Sequence, residues 1–190
     1  MRHYAAMRVH RTVTVAIAAL ALAETGTLLL SVGSSAEPTK SQQLFRKMLL
    51  DDAKTTTAIK RLLRDRGGFV DPAIQFGDLT GDGRSDALVL VDTGGAAGAV
   101  ALYVFSTHGE DADSPLRVVY RSQKLYRASA EIANATLILR APRFVEGDEL
   151  CCPAKVVERV YAWSDGAGTL KQRSSRELPG PGATTTPPAQ

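Results

Sequence analysis

Four oxygen-bearing side chains and one glycine lie within nine residues of each other at the intervals used by calcium-binding loops. With Asp78 as position 1, positions 3, 5, 6 and 9 are Thr80, Asp82, Gly83 and Asp86. A tight loop surrounds Ca²⁺ with oxygen ligands at such intervals, and a glycine allows the sharp turn between them. The backbone carbonyl of Arg84 falls at position 7. The spacing therefore predicts a calcium site with Asp78, Thr80, Asp82, Arg84 and Asp86 as its ligands.

The residues after this loop indicate a strand instead of the helix that follows an EF-hand loop. Position 12 is Val89, where an EF-hand has a bidentate glutamate. The run Ala87–Val91 is apolar and rich in leucine and valine, which is typical of a buried strand. We therefore expect a loop that leads directly into a strand.

The stretch 76–92 resembles the calcium-binding loop of the FG-GAP and VCBS repeat families. It begins with Phe76-Gly77 and continues with the pattern Asp-x-Thr-Gly-Asp-Gly-x-x-Asp. In those families the residues at the positions of Asp78, Thr80, Asp82 and Asp86 bind calcium, so the resemblance implies the same role here. The chain holds one copy, whereas a propeller needs several at a regular period, so the resemblance concerns the loop and not a propeller fold.

An ordinary turn is the alternative interpretation of the same residues. Aspartate and glycine before a strand are also a hairpin signal, and Arg84 could neutralise neighbouring carboxylates. Three aspartates within nine residues repel one another when no cation is present. This repulsion favours the calcium site and leaves the turn as the alternative.

The first 36 residues have the layout of a secretory signal peptide. Three arginines precede the apolar run 13–23, and Ser34-Ser35-Ala36 offers small residues for cleavage before Glu37. We expect residues 1–36 to be removed, with no membrane span afterwards and with a secreted or cell-envelope location. An uncleaved anchor that continues through Leu28, Leu29 and Leu30 is the alternative.

The charge of the remaining chain gives no sign of nucleic-acid binding. Residues 1–36 carry three arginines and one glutamate, so of 23 basic and 20 acidic residues the rest keeps 20 and 19. No run of basic residues alternates with aromatic ones, and such a run is typical of nucleic-acid-binding surfaces. We therefore expect a protein or glycan partner.

The periodicity predicts an α+β domain over residues 37–178. Apolar residues recur at helical steps from Thr39 to Arg66, as one helix or as two with a break near Lys54. Runs of strand length follow, and short connections favour an antiparallel meander sheet with the N-terminal helix packed on it. These runs are 87–91, 99–106, 116–123, 135–140 and 156–163. Residues 179–190 lack large apolar side chains and predict a disordered tail.

Cys151 and Cys152 are the two cysteines of the chain and are adjacent. In an exported protein this arrangement predicts a vicinal disulfide that closes an eight-membered ring and fixes a turn at Pro153. A Cys-Cys-Pro turn before a strand that ends in Trp163 also resembles a group of small secreted bacterial proteins of unknown function.

Two classes of function fit the sequence. The first is a non-enzymatic exported module that is stabilised by Ca²⁺ and binds or adheres at the cell envelope. The second is an envelope hydrolase whose acids come from Asp92, Glu110, Glu146 or Asp148. Convergence of two of these carboxylates in one pocket would favour the hydrolase. His108 lies in a polar turn, where we expect a solvated side chain.

Overall fold

The computed structural model describes residues 37–108 and 115–183. Two helices come first, α1 (Lys40–Asp51) and α2 (Thr57–Asp65). Thr39 caps α1 in a capping box, in which its hydroxyl accepts from the Gln42 backbone N–H and the Gln42 side chain accepts from the Thr39 N–H. The chain thus forms two helices, and the break lies at residues 52–56, around Lys54.

Nine strands follow in the described residues and form two antiparallel sheets. The first sheet has the order β1-β3-β4-β5, with β2 also paired to β3, and the second has the order β6-β7-β8-β9. The strands are β1 (Phe69–Val70), β2 (Gln75–Gly77), β3 (Asp86–Asp92), β4 (Ala99–Ser106), β5 (Arg117–Ser122), β6 (Ser129–Ala133), β7 (Thr136–Arg143), β8 (Lys155–Ser164) and β9 (Thr169–Pro179), with one 3₁₀ turn at Asp165–Ala167. The mixed α+β class is therefore correct.

The expected single meander sheet is wrong, because the strands divide between two sheets. The central strands β3 and β4 bury side chains on both faces, and this explains why their sequences are almost continuously apolar. Alternate residues of these strands belong to two separate buried clusters. Val89 and Tyr103 belong to the first cluster, and Leu88 and Leu102 belong to the second.

The two clusters differ in the elements that contribute to them. The first cluster contains Phe45 and Leu49 of α1 and Ile59 and Leu63 of α2, together with residues of β1, β3 and β4. The second cluster contains Leu137 and Leu139 of β7 and Leu170 of β9, together with residues of β3 and β4. Each cluster removes apolar surface from water, which is the dominant favourable term in folding.

The C-terminal strand extends into the segment predicted as a tail. Pro179 is the last residue of β9, and Gly180 and Gly182 donate backbone N–H groups to Ala154 and Pro153. A Cβ at either glycine would collide with backbone atoms of residues 152–155, so this close approach requires glycine. Strand β9 thus includes Pro179, the first residue of the predicted tail, and residues 184–190 lie outside the described part.

A row of paired charges crosses the second sheet. Glu158 of β8 lies between Arg140 of β7 and Arg176 of β9 in register, and only 3% of its side chain is exposed. Arg140 donates to one carboxylate oxygen at 2.8 Å, and Arg176 donates to the other at 2.7 Å. The Arg176 guanidinium, with that of Arg140, holds the pKa of Glu158 below its ordinary value, although burial opposes this effect.

This lowered pKa predicts a pH dependence of stability. The stabilisation by Glu158 is complete above its ordinary pKa of about 4.3 and is lost as the pH falls through the lower pKa of the folded state. We expect Glu158→Gln to be less stable than wild type at pH 7 and to lose less stability during acidification. Urea unfolding of both proteins from pH 7 to about 3 measures this difference, and parallel curves would contradict the prediction.

Candidate metal centre

The predicted calcium loop is the connection between β2 and β3. The two strands pair directly below it, with Gly77 opposite Asp86. Gly81 and Gly83 have φ values of 78° and 79°, in the left-handed region that favours glycine. The two glycines therefore allow the loop to reverse direction over a few residues.

Asp78 holds the backbone of the loop from its first position. One carboxylate oxygen accepts the N–H of Gly81 at 2.6 Å, and the other accepts the N–H of Gly83 at 2.9 Å. These are the local side-chain to backbone bonds that aspartate forms in turns. Asp78 therefore stabilises the turn through its hydrogen bonds to the loop backbone.

Asp86 is the most buried of the predicted ligands, with 1% of its surface exposed. Its Oδ2 accepts the N–H groups of Leu79 at 2.8 Å and Thr80 at 2.9 Å. Its Oδ1 is buried and has no hydrogen-bond partner. A carboxylate oxygen of this kind is costly to bury, and a cation would satisfy it.

The hydroxyl of Thr80 is the second buried oxygen of the loop that lacks a well-formed hydrogen bond. Thr80 is 6% exposed, and its Oγ1 has no partner of standard geometry. The hydroxyl is nevertheless close enough to Asp82 to help lower the pKa of that carboxylate. Two of the predicted ligands thus bury oxygens that could bind a cation.

Asp82 contacts positively charged and polar groups instead of the other aspartates. Its Oδ2 accepts from Arg84 Nε at 3.0 Å and Nη2 at 2.8 Å, while its Oδ1 accepts the Arg84 backbone N–H at 2.9 Å. Burial raises the pKa of Asp82, but the hydrogen bonds from Arg84 outweigh it and the pKa lies below the ordinary value. Arg84 therefore already supplies positive charge at this position.

The three aspartates do not converge tightly. In the described part of the chain, the ligand atoms of Glu149, Cys151 and Cys152 lie within 4.8 Å of one another. No other three His, Cys, Asp or Glu side chains there form such a group, so Asp78, Asp82 and Asp86 do not. Ligands at 2.3–2.6 Å from Ca²⁺ lie at most about 5 Å apart. The three carboxylates would therefore have to move closer together to bind one ion.

His108 lies against this loop, although the sequence indicated a solvated side chain. Its Nδ1 is 3.4 Å from Asp82 Oδ2, and its ring meets Trp163 of β8 edge-on, with 4.9 Å between ring centres. The expectation of a solvated histidine is therefore wrong. The loop thus connects through His108 to a residue of the second sheet.

Of the carboxylates proposed for a hydrolase, Asp92 and Asp148 each stabilise a turn. Asp92 accepts the N–H of Gly94 at 2.6 Å, and Asp148 accepts those of Val145 at 2.9 Å and Ala154 at 3.0 Å. Asp92 lines a cavity of about 540 Å³ with Asp71, and neither Glu146 nor Asp148 is among its lining residues. Glu110 lies outside the described residues.

Cys151 and Cys152 are joined by a disulfide in the turn before β8. The turn closes with a hydrogen bond of 2.9 Å from the Cys152 N–H to the Glu149 carbonyl. Cys151 is exposed, and Cys152 is partly buried.

Comparison with known proteins finds two relatives. Lipoprotein CseA of Streptomyces avermitilis is 28% identical over 134 residues, which cover 69% of this chain and 58% of that protein. The uncharacterized protein YybI of Bacillus subtilis is 30% identical over 103 residues, which cover 48% of this chain and 39% of that protein. The chain thus spans less than two thirds of either relative. No family profile and no solved structure matches it.

No helix in residues 37–108 and 115–183 is long and apolar enough to cross a membrane. The predicted signal peptide, residues 1–36 with cleavage after Ala36, lies outside the described residues.

Proposed function

We propose that this protein is an exported, non-enzymatic module that Ca²⁺ stabilises and that binds a protein or glycan partner at the cell envelope. Its likeness to a lipoprotein supports the location. The buried and unpartnered Oδ1 of Asp86 is the observation that supports the ion most strongly. In this proposal the two helices pack on the first sheet, and the loop 78–86 lies at the end of that sheet.

The loop would hold the ion with oxygen ligands alone, as Ca²⁺ prefers. Asp78, Asp82 and Asp86 would contribute carboxylates, Thr80 its hydroxyl directly or through water, and Arg84 its backbone carbonyl. No glutamate occupies position 12, so we expect a dissociation constant near 10⁻⁴ to 10⁻³ M, in the range of extracellular modules. Such an affinity is useful where calcium is plentiful.

Calcium is expected to raise the melting temperature of the wild-type protein by a few degrees. At ten times the dissociation constant, binding to the folded state alone adds about 1.4 kcal/mol of stability. Asp82→Ala should remove this rise, because it deletes the central ligand. Thermal unfolding in millimolar calcium and in chelator measures both effects.

The emission of Trp163, which is the only tryptophan, should also change during calcium titration, because His108 connects its ring to Asp82.

Asp51→Ala is the matched control for this experiment. Asp51 is an exposed aspartate in α1, is not one of the predicted ligands, and pairs with Lys47 at 2.8 Å. Its replacement should leave the calcium-dependent rise intact. Identical melting of the wild-type protein with calcium and with chelator would show that the loop is an ordinary turn.

A further inference from the structure

The turn at residues 149–152 places three metal-binding side chains together. Sγ of Cys151 lies 3.4 Å from Oε2 of Glu149, and the ligand atoms of Glu149, Cys151 and Cys152 all lie within 4.8 Å of one another. The hydrogen bond from the Cys152 N–H to the Glu149 carbonyl fixes the backbone between them. The backbone turn and the disulfide therefore hold the three side chains together.

Arg127 lies against this turn. Its Nη1 donates to the carbonyl of Leu150 at 2.6 Å and lies 3.3 Å from that of Cys151. Arg127 and Cys151 also line a cavity of about 250 Å³ together with Arg140.

We propose that Glu149, Cys151 and Cys152 form a binding site for a thiophilic cation after the disulfide between the two cysteines is reduced. A dithiol reductant attacks the exposed Sγ of Cys151, and the bond to Cys152 breaks with Cys152 as the leaving thiolate. The second thiol of the reductant then displaces Cys151. The protein gains two electrons and two protons, and the reductant becomes a disulfide. In an oxidising compartment the disulfide is the resting form, so the site opens only where such a reductant reaches it.

The donor set of the reduced turn suits a borderline or soft divalent cation such as Zn²⁺. Two thiolates and one carboxylate are three protein ligands, and water would supply the fourth position of a tetrahedral site. Both thiols lose their protons when the cation binds. The site differs from the loop 78–86, whose oxygen ligands suit Ca²⁺.

Zinc titration of the oxidised and the reduced protein tests this proposal. The disulfide is reduced with a phosphine, which takes the oxygen of water and leaves two thiols without adding a competing thiol. We expect the reduced protein to bind one Zn²⁺, seen by calorimetry and by native mass spectrometry as one added metal and two lost protons. The oxidised protein and the variant with both Cys151→Ser and Cys152→Ser should not bind Zn²⁺ at this turn.

Two exposed glutamates of the same loop provide the matched variants. Glu149→Gln should weaken Zn²⁺ binding by at least about tenfold, because it removes a direct ligand. Loss of a group that only hydrogen-bonds to a ligand already lowers metal affinity by about this much. Glu146→Gln should leave the affinity unchanged. Both residues are exposed, so neither change should prevent folding. Equal binding by the reduced, oxidised and double-serine proteins would overturn the proposal, as would a Glu149→Gln affinity equal to that of wild type.

Discussion

Phe105→Ala is expected to lower the free energy of unfolding by about 3–5 kcal/mol, as replacement of a core phenylalanine by alanine does elsewhere. The Phe105 side chain in β4 is completely buried. The centre of its ring is 4.8 Å from that of Phe45 in α1 and 6.5 Å from that of Tyr103. The loss should be large because the change leaves a cavity between a helix and the first sheet. Urea unfolding followed by circular dichroism measures it.

Phe76→Ala is the control, because Phe76 in β2 is 60% exposed and should change stability by only about 0.5 kcal/mol or less. A double-mutant cycle with Phe45→Leu and Phe105→Leu then tests the packing of α1 on the sheet. These milder changes should leave the domain folded, and residues in contact show a coupling of about 0.5–3 kcal/mol. Additive effects would show that the helix does not pack on the sheet at this contact.

The elements with the strongest local patterns could be predicted from sequence. The predicted strand 99–106 agrees with β4, and the two helices lie within the predicted helical region from Thr39 to Arg66. Apolar residues dominate β4 because both of its faces are buried. This run of apolar residues can be recognised in the local sequence without knowledge of the fold. The apolar run does not show which elements cover the two faces of β4. The second sheet could therefore not be predicted from it.

The strand β9 could not be predicted because its sequence lacks an apolar pattern. Most residues of β9 are exposed, and Leu170 is the one of its residues in a buried cluster. The strand forms because β8 offers a long partner, with paired residues from Lys155–Pro179 to Ser164–Thr169. Pairing of this kind depends on tertiary context more than on intrinsic propensity.

In the candidate site, too, contacts between residues close in sequence could be predicted, and contacts between distant residues could not. The spacing from Asp78 to Gly81 and Gly83 predicts a tight loop, and the structure shows the local hydrogen bonds that hold it. The contacts of His108 with Asp82 and with Trp163 could not be predicted, because only the fold brings these separate segments together.

Asp86→Ala is expected to destabilise the protein by about 2–4 kcal/mol in chelator, before any ion is considered. The change removes the acceptor for the buried N–H groups of Leu79 and Thr80. Each buried donor left without a partner costs about 1–3 kcal/mol. Urea unfolding in chelator measures this structural contribution.

Asp86→Asn separates the structural role of Asp86 from its proposed role as a ligand. Its amide oxygen can still accept the two N–H groups, so we expect a smaller loss than for Asp86→Ala in chelator. The variant lacks the negative charge that would attract Ca²⁺ to the unpartnered Oδ1, and its calcium-dependent rise in melting temperature should be smaller than that of wild type. A full rise in Asp86→Asn would show that Oδ1 does not face the ion. The role of Asp86 would then be limited to bonding the loop backbone.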